Sequence, residues 1–330
     1  MVKEDMKLLV VGIGSIGRRH SDVLYSLLGC KNITLWDPVL KNAQDHAAKY
    51  PGMRVSETYE EALNEHPDAV FICSPPALHM VQAEMALRAG AHVMVEKPLA
   101  QSTESLQPII ALAKEKNLTV SVALCNRYHK GIRRVKELVD MGTLGKIINI
   151  RATMCEFFPH SRPDYLNTYY VRYSGCFELI HAVDYAIWVA GGRPTEIYGI
   201  YGSDADIGFS SPDNAEILLR TDKGVTCSVN LGFYRFPAQS ELFVYGTEGT
   251  AELRYTHTGY SLRLYTRESG EWVEETVDGL ERNMMFSAED GEFLDSIVSG
   301  KYSGCGLEDA ARAVEVYEKV YGAKNPPPSV

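Results

Sequence analysis

Residues 7–17 read KLLVVGIGSIG, and a lone acid, Asp37, closes the next apolar run twenty positions after the last glycine. Leu8–Val11 is an apolar run short enough to be a buried parallel strand. Gly12, Ile13, Gly14, Ser15, Ile16 and Gly17 then give Gly-x-Gly-x-x-Gly at a strand-to-helix turn. Each glycine has its own task. The first permits the tight turn, the second lets backbone approach a pyrophosphate, and the third lets helix and strand pack closely. The helix that follows points its free N–H groups and positive dipole end at the phosphates. Strand, glycines, helix and acid together predict a dinucleotide site, whereas the glycines alone would be weak evidence.

Asp37 bears on the choice of dinucleotide. A carboxylate there accepts hydrogen bonds from ribose hydroxyls and repels a 2′-phosphate, which favours NAD over NADP. Arg18, Arg19 and Lys41 are the nearby cations that would suit a phosphate instead.

Working outward, strand and helix signals alternate through the first third. Candidate strands are Leu8–Val11, Ile33–Trp36, Ala69–Cys73, His92–Val95 and Thr119–Leu124, with helices over Leu78–Ala89 and Thr103–Lys116. Such alternation predicts a doubly wound parallel sheet, whose ligands bind at the carboxyl ends of the strands. Gly12–Gly17, Asp37, Ser74-Pro75 and Glu96-Lys97-Pro98 all fall at that edge. After about residue 125 the texture changes. Gly131–Met141 reads as a helix. Strand patterns then dominate at Ile147–Met154, Glu196–Tyr201, Ala215–Arg220, Val225–Phe233, Glu241–Val244, Ser261–Tyr265 and Glu271–Val277. Three further helices are expected over Gly175–Ala190, Ala288–Val298 and Leu307–Tyr321. The fold class is therefore α/β: a Rossmann domain over 1–125, then an α+β domain with a large, mostly antiparallel open sheet over 126–330.

Composition narrows the partners. A net charge of −10 argues against a nucleic-acid surface, and no eighteen-residue apolar run suggests a membrane span. The start, MVKEDMK, lacks a signal-peptide core. The seven cysteines form no Cys-x-x-Cys pair, so neither a disulfide framework nor a structural metal is expected, and a cytoplasmic setting fits.

Two constellations carry chemistry. Pro98 keeps Lys97 extended at a strand end, where an ammonium can bind a hydroxyl and lower its pKa. On the helix Gly175–Ala190, steps of three and four align Glu178, His181, Asp184 and Trp188, and a carboxylate beside an imidazole fixes its tautomer.

Together these residues resemble the Gfo/Idh/MocA oxidoreductases, named for glucose-fructose oxidoreductase, inositol 2-dehydrogenase and a rhizopine-catabolism protein. The likeness rests on Gly12–Gly17, Ser74-Pro75 with His79, Glu96-Lys97-Pro98, Asn126-Arg127-Tyr128-His129 and His181-x-x-Asp184. It implies hydride transfer between NAD and a carbon of a sugar, sugar derivative or cyclitol, in a homodimer or homotetramer joined through the second sheet. Lys97 and His181 would be the catalytic pair, with Glu178 or Asp184 orienting His181. Gly12, Gly14, Gly17, Asp37, Ser74, Pro75, His79 and Glu96 would line the cofactor cleft. Arg127, Tyr128, Arg162 and Tyr165 would contact substrate, the last two within the polar aromatic stretch Phe157–Tyr173. Many members place Asp four residues before the histidine; here Phe177 stands there, and Glu178 takes the acid's place. Two other activities fit the same fold: a non-catalytic NAD-binding regulator and an NAD-dependent glycosidase.

Overall fold

The carboxyl edge of a parallel sheet gathers most of these motifs, in a computed structural model that describes residues 3–100, 102–157, 175–205, 207, 211–301 and 304–324. The chain forms two units: residues 1–125 with 283–311, and residues 126–282 with 312–330. Residues 283–311, expected in the second domain, thus belong to the first unit.

In the first unit six strands lie in the order β3-β2-β1-β4-β5-β6. They are β1 (Leu8–Val11), β2 (Ile33–Trp36), β3 (Arg54–Val55), β4 (Ala69–Ile72), β5 (His92–Glu96) and β6 (Val120–Ala123). Every pairing is parallel. Register aligns Trp36, Val11, Ile72 and Val95 across four strands. The residues that follow, Asp37, Gly12, Cys73 and Glu96, therefore share one edge, at the switch in strand order where such sheets bind ligands. The helices are α1 (Ser15–Ser26), α2 (Leu40–Ala47), α3 (Tyr59–Asn64), α4 (His79–Arg88) and α5 (Gln107–Lys116). The short α2, β3 and α3 carry too little periodicity to be anticipated, although a Thr58/Glu61 capping box marks the start of α3.

The helix α8 (Asn283–Ser299) closes this unit's core. Its Phe293 and Leu294 are buried among Leu8, Ile33 and Phe71, and the Phe71 and Phe293 rings meet edge-on at 5.6 Å. Each such large apolar side chain contributes about 1.5–3 kcal/mol when fully buried.

The second unit is built on eight strands: β7 (Ile147–Phe157), β8 (Pro194–Gly202), β9 (Asn214–Thr221), β10 (Thr226–Gly232), β11 (Tyr234–Gly246), β12 (Gly249–Thr256), β13 (Gly259–Thr266) and β14 (Trp272–Asp278). Their order is β14-β13-β12-β11-β7-β10-β9-β8, and only β7 with β10 runs parallel. Period-two burial explains the strands: in β9, Ala215, Ile217, Leu219 and Thr221 are buried while Glu216, Leu218 and Arg220 are exposed. Strand β12 was not anticipated, although Ala251, Leu253 and Tyr255 alternate in the same way. Helix α6 (Lys130–Asp140) packs on β12 and β13, and α7 (His181–Ala190) on β7 and β10. The last helix, α9 (Leu307–Lys324), opens in the first unit and continues into the second from Arg312.

The expected helix Gly175–Ala190 is corrected. Gly175–Leu179 is a 3-10 turn, and the α-helix begins only at His181. Gly175 has φ +70°, and the Cys176 N–H donates to Pro212 O at 2.7 Å. This turn is tied to the approach to β9 and cannot continue the ladder of α7. Glu178 and His181 consequently do not share a continuous helical stripe.

Candidate functional site

The glycine loop of the first unit has the shape a dinucleotide needs. Gly12 adopts φ +85°, and a Cβ there would lie 2.8 Å from Ser74 N. A Cβ on Gly17 would lie 1.9 Å from Gly12 O, so the third glycine is needed for α1 to approach its own strand. A Cβ on Gly14 would meet nothing within 4 Å. That open side, beside an α1 N-terminus with no side-chain cap, is where a pyrophosphate fits.

Asp37 is buried at the end of β2, and protein donors take much of its carboxylate. Oδ2 accepts the Ile13 N–H at 2.7 Å, and Oδ1 accepts Val39 N–H at 2.8 Å and Asn42 Nδ2 at 3.1 Å. A carboxylate has about four acceptor positions, so roughly one remains for a ribose hydroxyl. The acid pins the glycine loop to β2 as well as facing the cofactor cleft. The three cations noted near the loop make these contacts. Arg18 Nε donates to Ile13 O at 3.1 Å, the Arg19 guanidinium lies 5.1 Å from the Phe286 ring centre, and Lys41 pairs with Asp45 at 2.9 Å.

At the ends of β4 and β5 two turns are stitched together. His79 is fully buried, with Nε2 2.8 Å from Ser74 O and Nδ1 3.0 Å from Pro98 O. Burial lowers its pKa, with the carbonyl contacts opposing. Ser74 Oγ donates to Gln82 Oε1, and Pro75 O accepts the Leu78 N–H. Glu96 Oε2 accepts the Lys97 N–H at 2.8 Å, while Oε1 lies 3.2 Å from Nε2 of His20. His20 also meets Asp290 of α8, with Nδ1 2.9 Å from Oδ1. Burial alone would push the His20 pKa down, but the Asp290 carboxylate, with Cys73 and Glu96, raises it well above 6.5. The pKa of Asp290 is itself pushed up by burial, and His20 pulls it back. All of these side chains belong to the first unit.

In the second unit, Arg127 and Asp184 form a buried two-pronged ion pair. Nε meets Oδ2 at 2.8 Å and Nη2 meets Oδ1 at 2.6 Å. The Arg127 guanidinium lies 5.4 Å from the Trp188 ring centre. Asp184, one of the two acids expected to orient His181, and Arg127, expected at the substrate, are thus paired with each other. Tyr128 is buried under the Arg133 guanidinium, 4.5 Å from its ring centre. His181 opens α7, and Glu178 lies buried in the turn before it. Phe177, where the family commonly has an acid, is fully buried edge-on to Tyr201 and Tyr317. Arg162 and Tyr165 lie outside the described residues, as do residues 158–174 in general. All seven cysteines are buried thiols outside any disulfide. Among the described residues no helix is long and apolar enough to cross a membrane.

Sequence reasoning missed His20, Gln82 and Asp290. His20 carries no local signal, and its partner Asp290 lies 270 positions away.

The loop and sheet edge define a dinucleotide-binding oxidoreductase class. The sequence profile described as "Oxidoreductase family, NAD-binding Rossmann fold" of Gfo/Idh/MocA matches residues 6–124, and that of the GFO/IDH/MocA C-terminal domain matches residues 132–252. The chain belongs to the Gfo/Idh/MocA oxidoreductase family, and its first unit is that family's NAD-binding Rossmann fold. It is 26% identical over 316 residues to an inositol 2-dehydrogenase/D-chiro-inositol 3-dehydrogenase of Lacticaseibacillus casei, covering 90% of this chain and 85% of that protein. Among solved structures it is similar to an oxidoreductase from Agrobacterium radiobacter in complex with NAD+, L-tartaric acid and magnesium (TM-score 0.86, 18% identity, 98% and 97% of the two chains). It is also similar to a levoglucosan dehydrogenase in complex with NADH (TM-score 0.84, 17% identity, 97% of each chain). At these identities the two structures speak for the fold.

Proposed function

We propose that this chain is an NAD(H)-dependent dehydrogenase or ketoreductase acting on a hydroxyl or keto carbon of a sugar, sugar derivative or cyclitol. The observation that carries the reading is Lys97, held by Glu96 on the same sheet edge as the open glycine cradle. The match to an inositol dehydrogenase over 90% of the chain supports the substrate class. Asp37 at the end of β2 supports NAD over NADP.

When bound, NAD supplies the hydride acceptor. In the oxidative direction His181 removes the hydroxyl proton. Its Nδ1 is shut off from solvent, which leaves Nε2 to take the proton. An ammonium such as that of Lys97 can donate to a substrate oxygen and stabilise negative charge that grows on it. Glu178, in the turn before His181, or Asp184, on the helix that His181 opens, is the orienting group in this reading.

The test is an absorbance screen of reduced nicotinamide, with NAD and NADP, over inositols, aldoses, uronic acids and glycosides. Turnover with NAD on one group is the expected result. Lys97→Ala should then lower kcat at least ~100-fold while NAD still shifts the melting temperature. Unchanged turnover in that variant removes Lys97 from the mechanism. Sugar release without net reduction would point to a glycosidase, and NAD binding with no turnover to a regulator.

We also propose a homodimer or homotetramer. The outward row Tyr198, Ile200 and Leu218 on β8 and β9 is 64%, 80% and 49% exposed, an apolar strip suited to a second copy. A monomer by light scattering at micromolar concentration would rule this out. Seven buried thiols outside any disulfide suit a reducing compartment such as the cytoplasm.

A further inference from the structure

His20 sits where the glycine helix, the Lys97 turn and α8 converge. It is fully buried, its ring 5.7 Å from Phe71 and 5.5 Å from Phe286 between centres. Its two nitrogens meet two carboxylates: Nδ1 lies 2.9 Å from Asp290 and Nε2 3.2 Å from Glu96. A neutral imidazole carries one N–H and can serve only one of them. Serving both requires a proton on each nitrogen. Without that cation, Glu96 and Asp290 would face each other as like charges in an apolar setting, and one would have to take up a proton. The other groups facing the ring are the Cys73 thiol and, beyond Phe286, the Arg19 guanidinium.

Glu96 uses its second oxygen differently. Oε2 accepts the main-chain N–H of Lys97 at 2.8 Å, and so fixes the turn that carries the ammonium. A carboxylate held by a cation is a stronger and better-fixed acceptor than a protonated or wandering one.

We propose that His20 is a positioning residue for Lys97: as an imidazolium it grips one oxygen of Glu96, so that the other oxygen holds the Lys97 turn in place. This rests on the reading of Lys97 as catalytic, and it extends the machinery to α1 and α8. Asp290 completes the device by balancing the charge on the far side of the ring. The raised pKa of His20 agrees with this assignment.

The experiment uses the full-length protein with 15N-labelled histidine. Long-range 1H–15N spectra at pH 7 and 8 report the state of the His20 ring, assigned through its contacts with the Phe71 and Phe286 rings. Protons on both nitrogens at both pH values are expected. A neutral ring at pH 7 overturns the proposal, and this readout needs no variant to fold. The second readout is deuterium exchange at the Lys97 amide. His20→Gln and Glu96→Gln should each speed it by about 10- to 100-fold, the loss of a hydrogen bond to a charged acceptor. An unchanged rate in a folded His20→Gln also overturns it. On any substrate the screen yields, His20→Gln should lower kcat and leave the KM for NAD in place. A silent screen counts against the catalytic reading of Lys97, whereas the ring state and amide exchange judge the His20 assignment alone.

Discussion

Each unit holds a buried carboxylate close in sequence to a proposed catalytic residue, but the two carboxylates are held by different cations. In the first unit Glu96, next to Lys97, is held by His20. In the second, Asp184, one turn along the helix from His181, is held by Arg127. The guanidinium keeps its proton at every working pH and grips both oxygens through a rigid fork. The imidazole keeps its proton only because two carboxylates overrule the cost of burial. The first anchor is therefore conditional on pH and on its second acid, Asp290, and the second is permanent. A buried carboxylate is held once by a rigid fork and once by charge balance.

The largest effect expected from breaking this comparison is on the permanent side. Asp184→Ala leaves the Arg127 guanidinium buried without its acid, and should cost about 3–5 kcal/mol of stability in urea unfolding. A loss under 1 kcal/mol would mean that the pair is solvated and secures nothing. A smaller, sharper effect belongs to the conditional side. The folded pKa of His20 lies above 6.5, so its stabilising contribution is complete below pH 6.5 and is lost as pH rises through the folded value. The stability difference between the wild type and His20→Gln should hence shrink with rising pH above 6.5, by at most about 1.4 kcal/mol per pH unit. Asp184→Ala measured against the wild type should show no such slope. Parallel slopes in the two variants would erase the distinction drawn between the anchors.

The half of the fold that was legible is the half whose signals are local. Buried parallel strands read as short apolar runs, and β1, β2, β4, β5 and β6 all lie where those runs fall. The glycine loop was legible because its motif is contained within six residues, with steric demands at Gly12 and Gly17 and an open side at Gly14. The pairings that set the anchors were not legible. His20 and Asp290 are separated by 270 positions and Arg127 and Asp184 by 57, and no periodicity links them. The break before His181 was hidden because its cause, the Pro212 carbonyl, lies on another segment. Strand β12 is a different case, since its alternation of Ala251, Leu253 and Tyr255 stands in the sequence.

The return of residues 283–311 to the first unit has a consequence for how the protein is made. A ribosome releases the glycine loop, the six parallel strands and Lys97 long before it releases Phe293 and Asp290. Until then Phe71 lacks the ring that covers it and His20 lacks one of its two acids. The nucleotide-binding half, first to emerge, is thus obliged to wait for nearly the whole chain before its own core can close. A fragment ending at residue 125 would carry every nucleotide motif and still be an unfinished domain.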